Sequence, residues 1–174
     1  FSEHLYPGPI RSDIGCFGDA APHAFSLIDF LFPEAGIGEV QGKMIDISGR
    51  GKDDFATVGI AYDSGLAVSI VISCFAAEKT RRLYIGGEKG MALFDDMAQE
   101  RKIKIIRQSY PKMSMMAETE SVFFDAAGVK AETPVIAARE PLRNQLDHFI
   151  DCIRSGQTPL TDVQHGLRVT DAIE

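Results

Sequence analysis

The stretch Phe55-Ala56-Thr57-Val58-Gly59-Ile60-Ala61-Tyr62-Asp63-Ser64-Gly65-Leu66-Ala67-Val68-Ser69-Ile70-Val71-Ile72-Ser73 decides how this chain is built. Ala56, Val58, Ile60 and Tyr62 fall on one side of an extended segment, and Val68, Ile70 and Ile72 on one side of the next, the period of half-buried strands. Asp63-Ser64-Gly65 between them supplies residues that turn a chain, so the pair reads as an antiparallel hairpin. The same texture extends outward. Glu39 to Ser48 reads as a strand, and Arg82–Gly86 with Met91–Phe94 form a second hairpin around Gly87-Glu88-Lys89-Gly90. Lys102–Arg107 and Ser121–Asp125 are further strand segments, separated by an excursion that carries Met113, Met115 and Met116.

Helical spacing flanks this β region. Ala21, Phe25, Ile28, Leu31 and Phe32 predict a helix from Asp19 to Phe32 that Pro33 ends; Pro22 suits only a first turn, which places the start near Asp19. Residues 1–18, with Pro7-Gly8-Pro9, read as a loop. At the other end Leu142, Leu146, Phe149, Ile150 and Ile153 recur on one helical face, with Pro141 at the first position and Gly156 as a stop. Thr161-x-x-Gln164 has capping-box spacing before a last helix striped by Val163, Leu167, Thr170 and Ile173. Strands grouped together, with helices at both ends, predict an α+β fold with an open, mostly antiparallel sheet and helices packed on one face.

A length of 174 residues suits one domain with one core. The net charge of -7, from 25 acidic and 18 basic residues, argues against nonspecific binding to nucleic acid or to an anionic membrane. Leu66–Ala77, the most apolar stretch, is broken by Ser69 and Ser73 and is too short to span a bilayer. Cys16, Cys74 and Cys152 are odd in number and far apart, which fits a reducing compartment, hence a cytoplasmic location, better than a disulfide framework. Phe1-Ser2-Glu3-His4 does not look like a native start.

The order of motifs adds a resemblance. Gly18-Asp19-Ala20-Ala21-Pro22-His23 leading into a helix, Asp54-Phe55-Ala56 opening a strand, Asp63-Ser64-Gly65 at a turn and Ile85-Gly86-Gly87-Glu88-Lys89-Gly90-Met91 resemble the C-terminal domain of the Gfo/Idh/MocA oxidoreductases. Glu140-Pro141-Leu142-Arg143-Asn144-Gln145-Leu146, Ser155-Gly156 and Pro159-Leu160-Thr161-Asp162 resemble that family's closing helices. The likeness covers nearly the whole chain and is similar in fold to the glyceraldehyde-3-phosphate dehydrogenase C-terminal domain. It implies an N-terminal Rossmann domain that binds NAD or NADP, with a catalytic lysine upstream. Residues 1–174 are then expected to be a single substrate-binding and oligomerisation domain, truncated at both ends, with no cofactor bound to it alone and no turnover alone. Where the family often has a second aspartate three residues after its histidine, this chain has Ser26, with Asp29 one turn further on; where it has a double glycine, this chain has Phe17-Gly18.

Hydride transfer from a carbinol needs a base for the hydroxyl proton, and histidine needs the least pKa adjustment for that work. Asp19 and His23 stand at i and i+4 and can share a helix face, where a carboxylate would fix the imidazole tautomer. By resemblance, His23 is the acid/base or substrate-hydroxyl contact and Asp19 its orienting partner. On the residues alone, Asp19 is equally an N-cap. A metal is not expected, because no third ligand is identifiable. Arg11 could take a substrate carboxylate or phosphate with its planar fork, or simply be solvated. His4 reads as a loop residue, and His148 and His165 as solvated residues on polar helix sides. Arg81-Arg82 and Lys102-x-Lys104 read as solvent-facing strand charges, and Arg143 with Asp147 as a surface ion pair. Gly86, Gly87 and Gly90 lie between two strands and so read as a turn, not a phosphate cradle.

The resemblance implies a parent enzyme acting on a sugar, sugar nucleotide or cyclic polyol by NAD(P)-dependent hydride transfer. A redox-neutral relative and a noncatalytic dimerisation or binding module are the alternatives. The face bearing Val68, Ile70 and Ile72 is expected to exceed what the helices can cover, which predicts a homodimer or higher oligomer formed sheet to sheet.

Overall fold

A computed structural model describes residues 2–7, 11–33, 36–107, 131–137 and 139–174. In chain order these form β1 (Ser2–Pro7), α1 (Cys16–Leu31), β2 (Ile37–Ile45), β3 (Phe55–Tyr62), β4 (Ala67–Ser73), β5 (Phe75–Gly87), β6 (Gly90–Asp95), β7 (Ile103–Arg107), β8 (Ala131–Glu132), α2 (Pro141–Ser155) and α3 (Val163–Asp171). One eight-stranded sheet runs in the order β2-β3-β4-β1-β5-β6-β7-β8. All neighbours are antiparallel except β1 and β4, which are parallel. The α+β architecture and both hairpins are as the sequence predicts. Ser121–Asp125 and the three methionines before it lie outside the described residues.

The β3–β4 register sets Ala56 against Ile72, Val58 against Ile70 and Ile60 against Val68, so the two apolar rows share one face of the sheet. α1 lies across that face. Ala20, Ala21 and Ala24 are short enough to let the helix approach closely, and with Phe25 and Ile28 they join Ala56, Val58, Ile60, Ile70 and Ile72 in one buried cluster. The expectation that the row of Val68, Ile70 and Ile72 would lie open is therefore corrected. Ile70 and Ile72 are both 0% exposed beneath the helix.

Two further expectations change at the N-terminal end. Residues 2–7 form a strand, not a loop, because they slot between β4 and β5 and pair with backbone on both sides. Their partners lie some seventy residues away, where no local pattern announces them. α1 begins at Cys16 instead of Asp19, since Asp53 supplies the cap: its carbonyl accepts from Cys16 N–H at 2.8 Å and its Oδ2 from Phe17 N–H at 2.7 Å. Pro22 thus sits in the second turn and removes one helical hydrogen bond, a cost offset by the buried alanine and phenylalanine face. Asp19 is not the N-cap.

Asp54, its neighbour, is fully buried and accepts from Ile47 N–H and Ser48 N–H, both at 2.8 Å, which fixes the β2–β3 connection. Burial pushes its carboxyl up, but these backbone donors outweigh that and hold it below the ordinary range.

α2 carries the predicted signals: Pro141 at its start, Glu140 accepting from Leu142 and Arg143 N–H groups, and Gly156 in the left-handed region as C-cap. Arg143 and Asp147 do pair at 3.7 Å on its exposed surface. Its apolar row has no cover among the described residues; Leu146 and Phe149 are each 53% exposed. In α3 the cap is Asp162, not Thr161, through Oδ1 to His165 N–H at 2.9 Å. The stripe is corrected in part: Ile173 packs on the core, but Val163 and Leu167 are exposed, and the buried side of the helix is His165 and Val169.

Candidate active site

His23 stands two turns into α1 with an exposed imidazole. It opens onto a cavity of about 320 Å³ between the helix and the adjoining half of the sheet. Ser26, Leu27 and Phe30 continue the helix wall, Leu83 and Phe94 form an apolar floor on β5 and β6, and Arg81 and Thr161 add polar groups at the margin. The floor follows from register: Leu83 pairs with Phe94, on the same sheet face as the row under α1. No hydrogen bond to His23 is found among the described residues. Both ring nitrogens can therefore meet a ligand.

Arg11 and Asp19 are brought together, but not with His23. Arg11 Nη1 meets Asp19 Oδ1 at 3.2 Å, and the rest of its fork holds Asp13 through Nη2 at 2.6 Å and Nε at 3.0 Å. Hydrogen bonding by Arg11 keeps the Asp13 carboxyl at about 2. The planar fork of Arg11, which could have taken a substrate carboxylate or phosphate or simply been solvated, is engaged by Asp13 and Asp19. Asp19 shares the helix side of His23 by spacing, yet its carboxylate is directed to Arg11, so no carboxylate among the described residues fixes the His23 tautomer.

A second group of polar residues lies behind the cavity. His165 is 6% exposed and spans from Ser26, whose Oγ is 2.8 Å from Nε2, to Asp29, whose Oδ2 is 2.7 Å from Nδ1. Arg168 closes on Asp29 with Nε and Nη2, each at 2.8 Å. The expectation of a solvated His165 is corrected, because burial in the α1–α3 seam demands partners and two are present. His148 also has partners: its Nε2 accepts from Leu160 N–H at 3.1 Å and its ring contacts Cys152 Sγ. Sequence spacing could not reveal the first group, since Ser26 and His165 are 139 positions apart.

Hydrogen bonds from Arg168 hold the Asp29 carboxyl below its ordinary value. A depressed carboxylate stabilises the fold at pH above its unfolded pKa of about 4 and loses that contribution as pH falls through the lower folded value. Urea unfolding followed from pH 6 down to pH 3 should show stability declining below about pH 4, and Asp29→Asn should flatten part of that decline. An identical acid profile for the variant would show that the Arg168–Asp29 pair adds nothing to stability.

Two negative observations bound the chemistry. Among the described residues, no three His, Cys, Asp or Glu side chains gather where they could hold a metal ion. Gly87 and Gly90 close the β5–β6 hairpin, and a Cβ on Gly90, at φ +146°, would strike the Ile106 carbonyl oxygen. That glycine serves strand approach; with a strand following instead of a helix, the turn does not fit a dinucleotide pyrophosphate. Burial, then its hydrogen bond to Asp53, pushes the Cys16 thiol well above the ordinary range.

Comparison with known proteins bears on the family and the fold. The family model described as the GFO/IDH/MocA C-terminal domain matches residues 4–93, the region that builds α1, its cap and the sheet beneath it. The chain belongs to the Gfo/Idh/MocA C-terminal domain family. No curated protein matches the sequence. Among solved structures, the UDP-N-acetylglucosamine 3-dehydrogenase GnnA from Acidithiobacillus ferrooxidans aligns with a TM-score of 0.81 at 22% identity, over 99% of this chain and 51% of that one. The WlbA dehydrogenase from Bordetella pertussis, solved with NADH and UDP-GlcNAcA, aligns with a TM-score of 0.62 at 18% identity, over 97% and 47%. The aldose-aldose oxidoreductase from Caulobacter crescentus, solved with glycerol, aligns with a TM-score of 0.69 at 18% identity, over 99% and 50%. This Gfo/Idh/MocA domain spans about half the length of these structures, and the likeness is one of fold. No helix among its described residues is long and apolar enough to cross a membrane.

Proposed function

We propose that this domain forms the substrate-side wall of an NAD(P)-dependent oxidoreductase acting on a sugar, sugar nucleotide or cyclic polyol, and that His23 moves the proton of the reacting hydroxyl. The observation that carries the reading is an exposed imidazole, with no hydrogen-bond partner among the described residues, at the mouth of a cavity with an apolar floor and a polar rim. Leu83 and Phe94 suit the C–H face of a ring, while His23, Ser26 and Thr161 suit its hydroxyls. The nicotinamide, held by a dinucleotide-binding domain outside this chain, supplies the hydride chemistry. The part of this chain is to bind, to exclude water and to accept a proton as the carbinol becomes a carbonyl.

The testing experiment pairs the domain with its dinucleotide-binding half. UDP-N-acetylglucosamine, UDP-glucose, glucose and myo-inositol are offered with NAD+ or NADP+, and nicotinamide absorbance is followed. Turnover of at least one compound is expected. Absence of turnover together with absence of binding would leave a noncatalytic module.

Association through the sheet belongs to the same proposal. Because α1 covers the apolar rows, the face available is the opposite one, where Ser69 and Gly59 are exposed and Val71 and Tyr84 are half-buried. A homodimer or larger assembly is expected through this face, and sedimentation showing only monomer at micromolar concentration would remove it.

A further inference from the structure

We infer that Ser26 is a substrate-contacting residue of the His23 cavity, and that His165, Asp29 and Arg168 are positioning residues that fix the direction of its hydroxyl hydrogen. This deepens the proposed function and rests on it. Ser26 follows His23 by three residues on α1, so the two side chains are neighbours on one helix face, with Cβ atoms about 5–6 Å apart. Both line the same cavity. That spacing suits two oxygens of one ring.

Hydrogen-bond inventory decides which way the Ser26 hydroxyl points. A carboxylate only accepts, so Nδ1 of His165, 2.7 Å from Asp29, must carry a proton. The imidazole is then either a cation or a neutral ring with a bare Nε2. Arg168 already balances the Asp29 charge through two hydrogen bonds. A second cation beside Arg168, on a ring 6% exposed, carries a desolvation cost that the neutral ring avoids, even with Asp162 accepting from the His165 backbone N–H nearby. The neutral ring is favoured, and its Nε2 accepts the Ser26 proton across 2.8 Å.

Ser26 therefore presents lone pairs, not a hydrogen, to the cavity. A ligand there must donate. The substrate class is a ring with a hydroxyl or amide N–H beside the reacting carbinol, and a deoxy or O-methyl group at that neighbouring position leaves Ser26 without a partner. The selection is made three residues from the proposed proton acceptor, yet it is set by a pair on the last helix.

Two measurements test this. Long-range ¹H–¹⁵N spectra at pH 7 should show His165 neutral with its proton on Nδ1, and Asp29→Asn should admit the Nε2–H tautomer. An imidazolium, or an Nε2–H tautomer in the unaltered protein, would overturn the inference. In the active protein, with the compound from the panel that is turned over, Ser26→Ala should raise KM about 10- to 100-fold and leave kcat within a few fold. One neighbouring-deoxy analogue should show the same loss with the unaltered protein and no further loss with Ser26→Ala; Ser26→Thr should restore part of the affinity. Additive losses, or an unchanged KM, would reduce the serine to a link between helices. If His23→Ala abolishes turnover while Ser26→Ala changes nothing, this inference fails alone; if no panel compound is turned over, the proposed function fails and takes it along.

Discussion

His23→Ala in an active protein containing this domain is expected to lower kcat by about 100-fold or more, with KM changed by less than about threefold. A hundredfold corresponds to about 2.7 kcal/mol on the barrier, the scale of a lost proton acceptor and not of a lost peripheral contact. The substitution is clean because His23 is exposed and makes no hydrogen bond among the described residues. The helix should keep its place, and alanine is in any case the better helix former. A variant with full kcat would reduce His23 to a surface residue beside an unrelated cavity.

The second large effect concerns the core that places the cavity. Ile72→Ala should destabilise the domain by about 2–5 kcal/mol, a large share of the roughly 5–15 kcal/mol that holds a domain together. Ile72 is 0% exposed on β4, opposite Ala56 and beneath the alanine face of α1. Those short neighbours have no side-chain length with which to collapse into the space left, so the upper half of the range is expected. Leu142→Ala, on the uncovered row of α2, should cost far less. In urea, the Ile72 variant should shift the midpoint with an unchanged slope. A shift worth less than about 1 kcal/mol would mean that α1 does not bear on this strand.

What could be read from the sequence follows the reach of each interaction. The β3–β4 hairpin, the Gly87–Gly90 turn and the capping of α2 are local: alternation, turn residues and a proline at the first position lie within a few residues of one another. The start of α1 escaped because Asp53, which caps it, lies 36 positions from Phe17. His165 escaped for the same reason, as its polar neighbours in sequence suit a surface helix while its actual partners, Ser26 and Asp29, sit on α1. The stripe expected on α3 held only in part, because periodicity marks faces without saying which one is buried. In the candidate site, His23 was visible as one member of a motif. The engagement of Arg11 with Asp13 and Asp19 and the relay behind Ser26 were visible only in three dimensions.

Of the described strands, the earliest in the chain ends up in the middle of the sheet. β1 separates β2-β3-β4 from β5-β6-β7-β8 and bonds to both, yet β4 is complete only at Ser73 and β5 at Gly87. During synthesis, therefore, β1 stays without a strand partner until β2, β3 and β4 have been made, and its second edge stays open until β5 follows. Such distant pairing slows folding and leaves unsatisfied strand edges exposed in the meantime. Until that wedge seats, neither half-sheet has its neighbour, and the wall under His23 is unfinished.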